Sequence, residues 1–219
     1  YSIMAVFNVM EKLGLSIDEV DALTGPISGR PKSATFRTAD VVGIDTLVKV
    51  AKNTYADCPN DESRDMFIVP AYVEKLIENK WLGDKTGNGF FKKVKNAEGK
   101  SEIHVLNLKT FEYTPSAKAK FATVQAWHHG TDKAGDFYRN VTALVNKYVS
   151  FRIPEIADEL YKIDDAVKAG FGWELGPFET WDVLGVEKTA QMMEASGFAP
   201  AAWVKEMTAA GNKSFYITE

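Results

Sequence analysis

The stretch Ser33-Ala-Thr-Phe-Arg-Thr-Ala-Asp-Val-Val-Gly-Ile-Asp45 is repeated, in altered form, as Leu175-Gly-Pro-Phe-Glu-Thr-Trp-Asp-Val-Leu-Gly-Val-Glu187. Aligned without a gap, Phe36 matches Phe178, Thr38 matches Thr180, Asp40 matches Asp182, Val41 matches Val183 and Gly43 matches Gly185. Five identities in thirteen positions exceed the roughly one that average residue usage gives. A second anchor lies upstream, Ile17-Asp18 against Ile163-Asp164, offset by a short insertion around Gly25 to Arg30. Two unrelated helices sharing a glycine stop would explain one match but not two anchors in the same order. The spacing is longer than the roughly 20 to 50 residues of a solenoid repeat, so each copy is the size of a small domain.

At 219 residues the chain holds two such halves, each able to bury its own core. Hydrophobic residues make up 45% and charged residues 26%, the balance of a globular protein and not of a disordered one. A net charge of −4 gives no basic footprint, so nucleic acid is not an expected partner. Cys58 is the single cysteine, which excludes an intrachain disulfide and points to a reducing, cytoplasmic setting. No apolar run of about 18 residues predicts a membrane span, and no signal-peptide pattern opens the chain. Instead Ile3, Val6, Phe7, Met10 and Leu13 fall on one helical face with no capping residue ahead of them. That start predicts a fragment of a longer protein, with part of its chemistry in the missing neighbours.

Ser16-Ile-Asp-Glu19 has the form of a capping box and predicts a short helix to about Leu23. Thr24 to Pro31 reads as a loop, the repeated motif as a helix ending before Gly43, and Asp45 as the cap of a helix over Thr46 to Tyr55. A helix over Phe67 to Asn79 turns Ile68, Tyr72, Leu76 and Ile77 inward. Trp81 to Phe91 is a glycine-rich turn, and Phe90 to Thr114 carries strand-like runs that predict a hairpin or a three-stranded appendage. Helices are expected over Lys118 to Trp127 and Asp132 to Val149, with Pro154 starting or kinking a helix that runs to Leu160. Phe171 to Pro177 is a loop, Glu187 to Ser196 and Pro200 to Ala210 are helices, and Gly211 to Tyr216 echoes Gly87 to Phe91. The expected architecture is therefore an all-α fold of two tandem helical repeats, 1–92 and 131–219, separated by a small β-hairpin and linker over 93–130.

Several patterns look chemical without meeting the requirements of the chemistry. Gly170-Phe-Gly172-Trp-Glu-Leu-Gly176 resembles a dinucleotide fingerprint but has no strand before it and the wrong final spacing. Gly25 to Ser33 ends like a phosphate loop, yet Arg30-Pro31 interrupts the Gly-Lys pair such a loop needs. Adjacent His128 and His129 point about 100° apart on a helix and His104 stands alone, so no metal site is expected. Arg30, Lys32 and Arg37 cluster around the first copy, where the second carries Glu174 and Glu179. Such a basic loop can hold phosphate groups; it can equally be a solvated face or make salt bridges. Phe36, Phe178, Trp173 and Trp181 read as core before ligand pocket, and Asp40 and Asp182 as anchors for neighbouring loops.

Ile163-Asp164, Gly176-Pro-Phe-Glu179, Asp182 and Gly185 of the second copy, with Lys85-Thr-Gly-Asn-Gly-Phe-Phe91 of the first, resemble the motifs of the helical C-terminal domain of 3-hydroxyacyl-CoA dehydrogenases. The resemblance covers nearly the whole chain. It implies two copies of the 6-phosphogluconate-dehydrogenase-C-terminal-like fold packed as a pseudo-dimer, the second a structural mate of the first. The wording from Gly29 to Asp40 is most similar to bacterial fused β-oxidation enzymes in which an enoyl-CoA hydratase-like domain follows. That domain and an N-terminal Rossmann domain are the partners implied. The implied activity is NAD-dependent oxidation of an L-3-hydroxyacyl-CoA to the 3-ketoacyl-CoA, with a His held by a Glu as base. In the family those groups and the NAD site belong to the Rossmann domain, and a substrate-holding Asn precedes the first helix. No catalytic, cofactor-binding or metal-binding residue is therefore assigned here, and the chain alone is expected to be inactive. The acyl-CoA contacts expected are Arg30, Lys32, Phe36 and Arg37. Departures from the pattern are Ala34-Thr35 in place of Gly-Pro in the first copy and Asn212-Lys-Ser214 in place of Gly-x-Gly in the second. Two other readings remain open, a non-catalytic helical interaction module and the helical domain of a dehydrogenase for another hydroxy acid.

Overall fold

The computed structural model describes residues 1–117, 119 and 130–217. The helix expected over 118–127, with His128 and His129, lies outside the described residues. Among those residues the chain is mostly helical, with ten α-helices and one three-stranded antiparallel sheet. None of the described helices is long and apolar enough to cross a membrane. Two compact units form, the first mainly from Ile3–Ser28 and Lys32–Thr123, the second mainly from Gly29–Pro31 and Val124–Glu219.

The first unit contains α1 (Ser2–Leu13), α2 (Ile17–Leu23), α3 (Phe36–Val42), α4 (Ile44–Asp57) and α5 (Ala71–Glu78). Helix α1 buries Val6, Phe7, Val9 and Met10 and stops at Gly14, whose φ of 64° lets its N–H close onto the preceding turn. Both bonds of the capping box start α2: Ser16 N–H donates to Glu19 Oε2 at 2.7 Å and Glu19 N–H to Ser16 Oγ at 3.3 Å. Two expectations change here. Helix α4 begins at Ile44 with Gly43 as its cap, and Asp45 pairs with Lys85 instead of capping. Helix α5 begins only after Pro70, because the residues before a proline are driven to extended backbone, and Ile68 is left 56% exposed. Phe7, Phe36 and Phe90 are each fully buried and form the aromatic centre of this core, Phe7 stacked on Phe36 at 4.8 Å and Phe90 edge-on to Phe36 at 4.7 Å. Each such ring contributes about 1.5–3 kcal/mol through its burial.

The appendage takes its three-stranded form, β1 (Phe91–Lys95), β2 (Ser101–Leu106) and β3 (Tyr113–Pro115). Phe91 lies opposite Val105, and Val105 opposite Thr114. Asparagine shapes both turns: Asn96 Oδ1 accepts from the N–H of Glu98 and Lys100, and Asn107 Oδ1 from those of Lys109 and Thr110.

The second unit contains α6 (Lys133–Phe151), α7 (Leu160–Phe171), α8 (Pro177–Leu184), α9 (Val186–Ala195) and α10 (Ala202–Ala209). Asp132 caps α6 by accepting from Gly135 N–H at 2.9 Å. Pro154 neither kinks nor starts a helix: α6 ends at Phe151, and 152–159 pass through turns to α7. Proline's missing N–H and its effect on the residue before it favour this break. Pro177 sits in the first turn of α8, where no N–H is needed. Phe178, Trp181, Val186, Met193 and Val204 are fully buried, with Phe215 edge-on to both Phe178 and Trp181 at 5.2 Å.

Candidate functional site

The repeated aspartates direct their oxygens to backbone N–H groups. Asp40 accepts from Phe90 and Phe91 at 2.9 and 2.8 Å, and Asp182 from Phe215 and Tyr216 at 2.7 and 2.9 Å. A second pair holds the start of the motif helix. Asp164 accepts from Phe178 and Glu179, both at 2.9 Å, and Asp21 from Thr35, Phe36 and Arg37 at 3.1, 2.7 and 3.0 Å. The counterpart of Asp164 is thus Asp21, not Asp18. Asp18, three residues earlier on α2, accepts from Ser116 Oγ at 2.7 Å and Ala117 N–H at 2.8 Å. Val20-Asp21 has the same aliphatic-Asp form as Ile17-Asp18, the one signal in the sequence that marks it as a rival anchor.

Asp21, Asp40 and Asp164 are buried enough that desolvation outweighs the N–H bonds. Burial pushes Asp21 up to about 7 and Asp40 up to about 6, and raises Asp164. Close crossings accompany the bonds: a Cβ added at Gly89 would fall 2.2 Å from Asp40 Oδ1, and one at Gly176 2.3 Å from Asp164 Cβ. All four aspartates therefore hold chain segments in place.

Beside the first copy the unit opens a cavity of about 770 Å³, lined among others by Asp18, Lys32, Arg37, Asp84, Lys93 and Ile103. Arg37 forks onto Asp84, with Nη2 to Oδ2 at 2.8 Å, and this guanidinium holds the Asp84 carboxyl below the usual carboxylate range. Lys32 is exposed at the same cavity, and Lys93 adds its positive charge near Asp84. Sequence reasoning misses Lys93, although strand alternation puts it with Phe91 on the face that pairs with Ile103.

Of the four residues expected to meet acyl-CoA, the structure brings Lys32 and Arg37 together. Phe36 is instead fully buried, its ring enclosed by Phe7 and Phe90. Arg30 belongs to the second unit, where its guanidinium lies 4.0 Å over the Trp173 ring and Glu174 N–H donates to Gly29 O at 2.8 Å. Burial pushes Arg30 down to about 10, which leaves it charged at neutral pH.

The described residues form no Rossmann-type dinucleotide fingerprint. Gly170 to Gly176 runs from the end of α7, capped by Gly172 at a φ of 65°, into Pro177 of α8, with no strand ahead of it. The sheet is antiparallel throughout and offers no strand-turn-helix crossover. Among the described residues no group of three His, Cys, Asp or Glu side chains could hold a metal ion.

A family model described as "3-hydroxyacyl-CoA dehydrogenase, C-terminal domain" matches residues 2–93 and 141–214. A "Probable 3-hydroxyacyl-CoA dehydrogenase" of Bacillus subtilis (strain 168) is 40% identical over 232 residues, covering 100% of this chain and 29% of the relative. A "Putative fatty acid oxidation complex trifunctional enzyme" of Rickettsia felis is 27% identical over 154 residues, 69% of this chain and 21% of the relative. A "Fatty acid oxidation complex subunit alpha" of Psychrobacter cryohalolentis is 26% identical over 227 residues, 97% of this chain and 29% of the relative. The chain spans less than a third of the length of each of these relatives. Each matched segment carries one copy of the aspartate pair, Asp21 with Asp40 and Asp164 with Asp182, and the chain belongs to the 3-hydroxyacyl-CoA dehydrogenase C-terminal domain family.

Proposed function

We propose that this chain is the substrate-side and assembly part of an NAD-dependent 3-hydroxyacyl-CoA dehydrogenase of fatty-acid β-oxidation. In this reading the Rossmann domain carrying the hydride-transfer groups, and an enoyl-CoA hydratase-like domain, belong to the rest of the polypeptide. The observation that supports it is the commitment of the repeated aspartates to backbone N–H groups, beside a cavity whose wall carries the cationic groups Lys32, Arg37 and Lys93. Lys32 is the group proposed to meet an acyl-CoA phosphate, with Arg37 set by Asp84 on the same wall. The second unit, with no comparable basic cluster in its motif, serves as the structural mate of the first in a pseudo-dimer.

Mixing the isolated chain with a 3-hydroxyacyl-CoA and NAD is expected to give no NADH, and measurable turnover would overturn the reading. Expressed together with its N-terminal region, the protein is expected to turn over. Lys32→Ala is then expected to raise KM several-fold at nearly constant kcat, as loss of a uniform binding contact does. An unchanged KM removes Lys32 from the site.

A further inference from the structure

The two halves differ at the aspartate that holds the start of the motif helix. In the second unit Asp164 Oδ2 accepts twice, from Glu179 N–H at 2.9 Å and from the Tyr216 hydroxyl at 2.8 Å. Tyr216 is also the second residue gripped by Asp182, so its side chain ties one latch to the other. The corresponding groups of the first unit are Asp21 Oδ2, which accepts from Arg37 N–H at 3.0 Å, and Phe91, the second residue gripped by Asp40. Phenylalanine has no hydroxyl to donate. Asp21 Oδ1 accepts from both Thr35 and Phe36, but Oδ2 takes one hydrogen bond among the described residues where its counterpart takes two. A carboxylate oxygen has lone pairs for two.

Asp164 is fully buried, whereas Asp21 is partly exposed and lines the cavity of about 770 Å³ together with Phe91. Burial raises both carboxylates, and the Tyr216 hydroxyl offsets part of that rise for Asp164 alone; Asp21, without such a donor, is pushed up to about 7. The second unit thus shows how an O–H donor satisfies this carboxylate. The first presents the same carboxylate to a space of small-molecule size, roughly 300–1,000 Å³ being usual for such sites.

The other charges of the lining narrow the chemistry of a ligand. Asp18 is held by Ser116 and Ala117, Asp84 is paired with Arg37, and Lys92 Nζ lies 5.4 Å from the centre of the Tyr113 ring. Lys32 and Lys93 remain to meet an anion, Lys93 on the strand face that also carries Phe91. We infer that Asp21 accepts a hydrogen bond from a ligand hydroxyl, as Asp164 does from Tyr216, while Lys32 and Lys93 hold a phosphomonoester on the neighbouring carbon. The ribose of coenzyme A, with its 3′-phosphate beside a 2′-hydroxyl, has this pairing. The inference rests on the reading of this cavity as an acyl-CoA phosphate site and adds Asp21 and Lys93 to it.

Adenosine 3′,5′-bisphosphate and its 2′-deoxy analogue, titrated calorimetrically into the whole chain, differ only in that hydroxyl. The first is expected to bind about tenfold more tightly, the worth of one hydrogen bond to a carboxylate. Phe91→Tyr, which copies the second unit, is expected to abolish the difference and to raise Tm, because the new hydroxyl then donates to Asp21. Lys93→Ala is expected to weaken both ligands several-fold and to leave their ratio unchanged. No binding of either ligand, equal affinity for the two, a ratio that survives Phe91→Tyr, or unchanged affinities in Lys93→Ala each overturn the inference. The dehydrogenase reading is decided separately, by NADH formation and the Lys32→Ala KM in the longer protein.

Discussion

In the first unit Asp40 is 1% exposed and latches Phe90 and Phe91 across Gly89, whose missing side chain leaves room for the carboxylate. In the second, Asp182 is half-buried and latches Phe215 and Tyr216 directly after Ser214, which has the Cβ that Gly89 lacks. Ser214 Oγ donates to Tyr216 O at 2.8 Å, a local brace that glycine could not supply. The other pair reverses the pattern. Gly176 crosses Asp164 closely, while its counterpart Ala34 carries a Cβ at a φ of 49° beside the Asp21 latch. Each half thus has one latch whose close approach requires glycine and one looser latch that does not. The latch constrains backbone position, and only close approach constrains residue identity.

The largest expected difference between the halves is at those crossings. Gly89→Ala is expected to destabilise the first unit by about 3 kcal/mol or more, since the new methyl meets a carboxylate held in the core. Ser214→Gly is expected to change the second by less than about 1 kcal/mol. Urea unfolding with amide hydrogen exchange resolved by unit measures both, and equal losses break the comparison. Next are the latches. Asp40→Ala leaves two N–H groups without their acceptor in a dry site and is expected to cost about 2–3 kcal/mol, against about 1 kcal/mol for Asp182→Ala in its wetter one.

A pH series sharpens the same contrast. Asp21 and Asp40 are raised from 3.8 to about 7 and about 6, so the folded state keeps protons that the unfolded chain releases. Their contribution to stability is complete below about 3.8 and is lost as pH rises through 6 to 7. Protection of the first unit is therefore expected to fall between about pH 4 and 7 and to level off above that, and Asp21→Asn to flatten that slope. A rising slope that the variant leaves unchanged would contradict the assignment. The smallest effect expected is local: Ser16→Ala removes one half of the capping box and costs about 1 kcal/mol, seen as faster exchange at the start of α2.

Features set within a few residues are legible in the sequence: the duplication, the capping box and the glycine stops after α1, α3 and α8. Features set by packing are not. Ile17-Asp18 and Val20-Asp21 stand about one helical turn apart, and only the placement of α3 against α2 decides which aspartate meets its N-terminus. Phe36 and Arg37 are neighbours in sequence but point about 100° apart on a helix, which sends one ring to the core and the other side chain to the cavity. Arg30 sits two residues from Lys32, yet the turn Gly29–Pro31 packs with the second unit. Lys93 belongs to that cavity through the fold of the sheet and not through proximity in the chain.

The Asp40 latch also has an evolutionary consequence. Because it grips main-chain N–H groups, it is indifferent to what the polypeptide does after the second gripped residue. In the first unit Phe91 leads straight into β1 and a twenty-odd-residue ribbon. The latch therefore works as a splice point, a place where new sequence can be inserted without renegotiating the core. Loops grafted after Phe91 should leave the helices beneath them intact, whereas the same grafts placed before Gly89 should not.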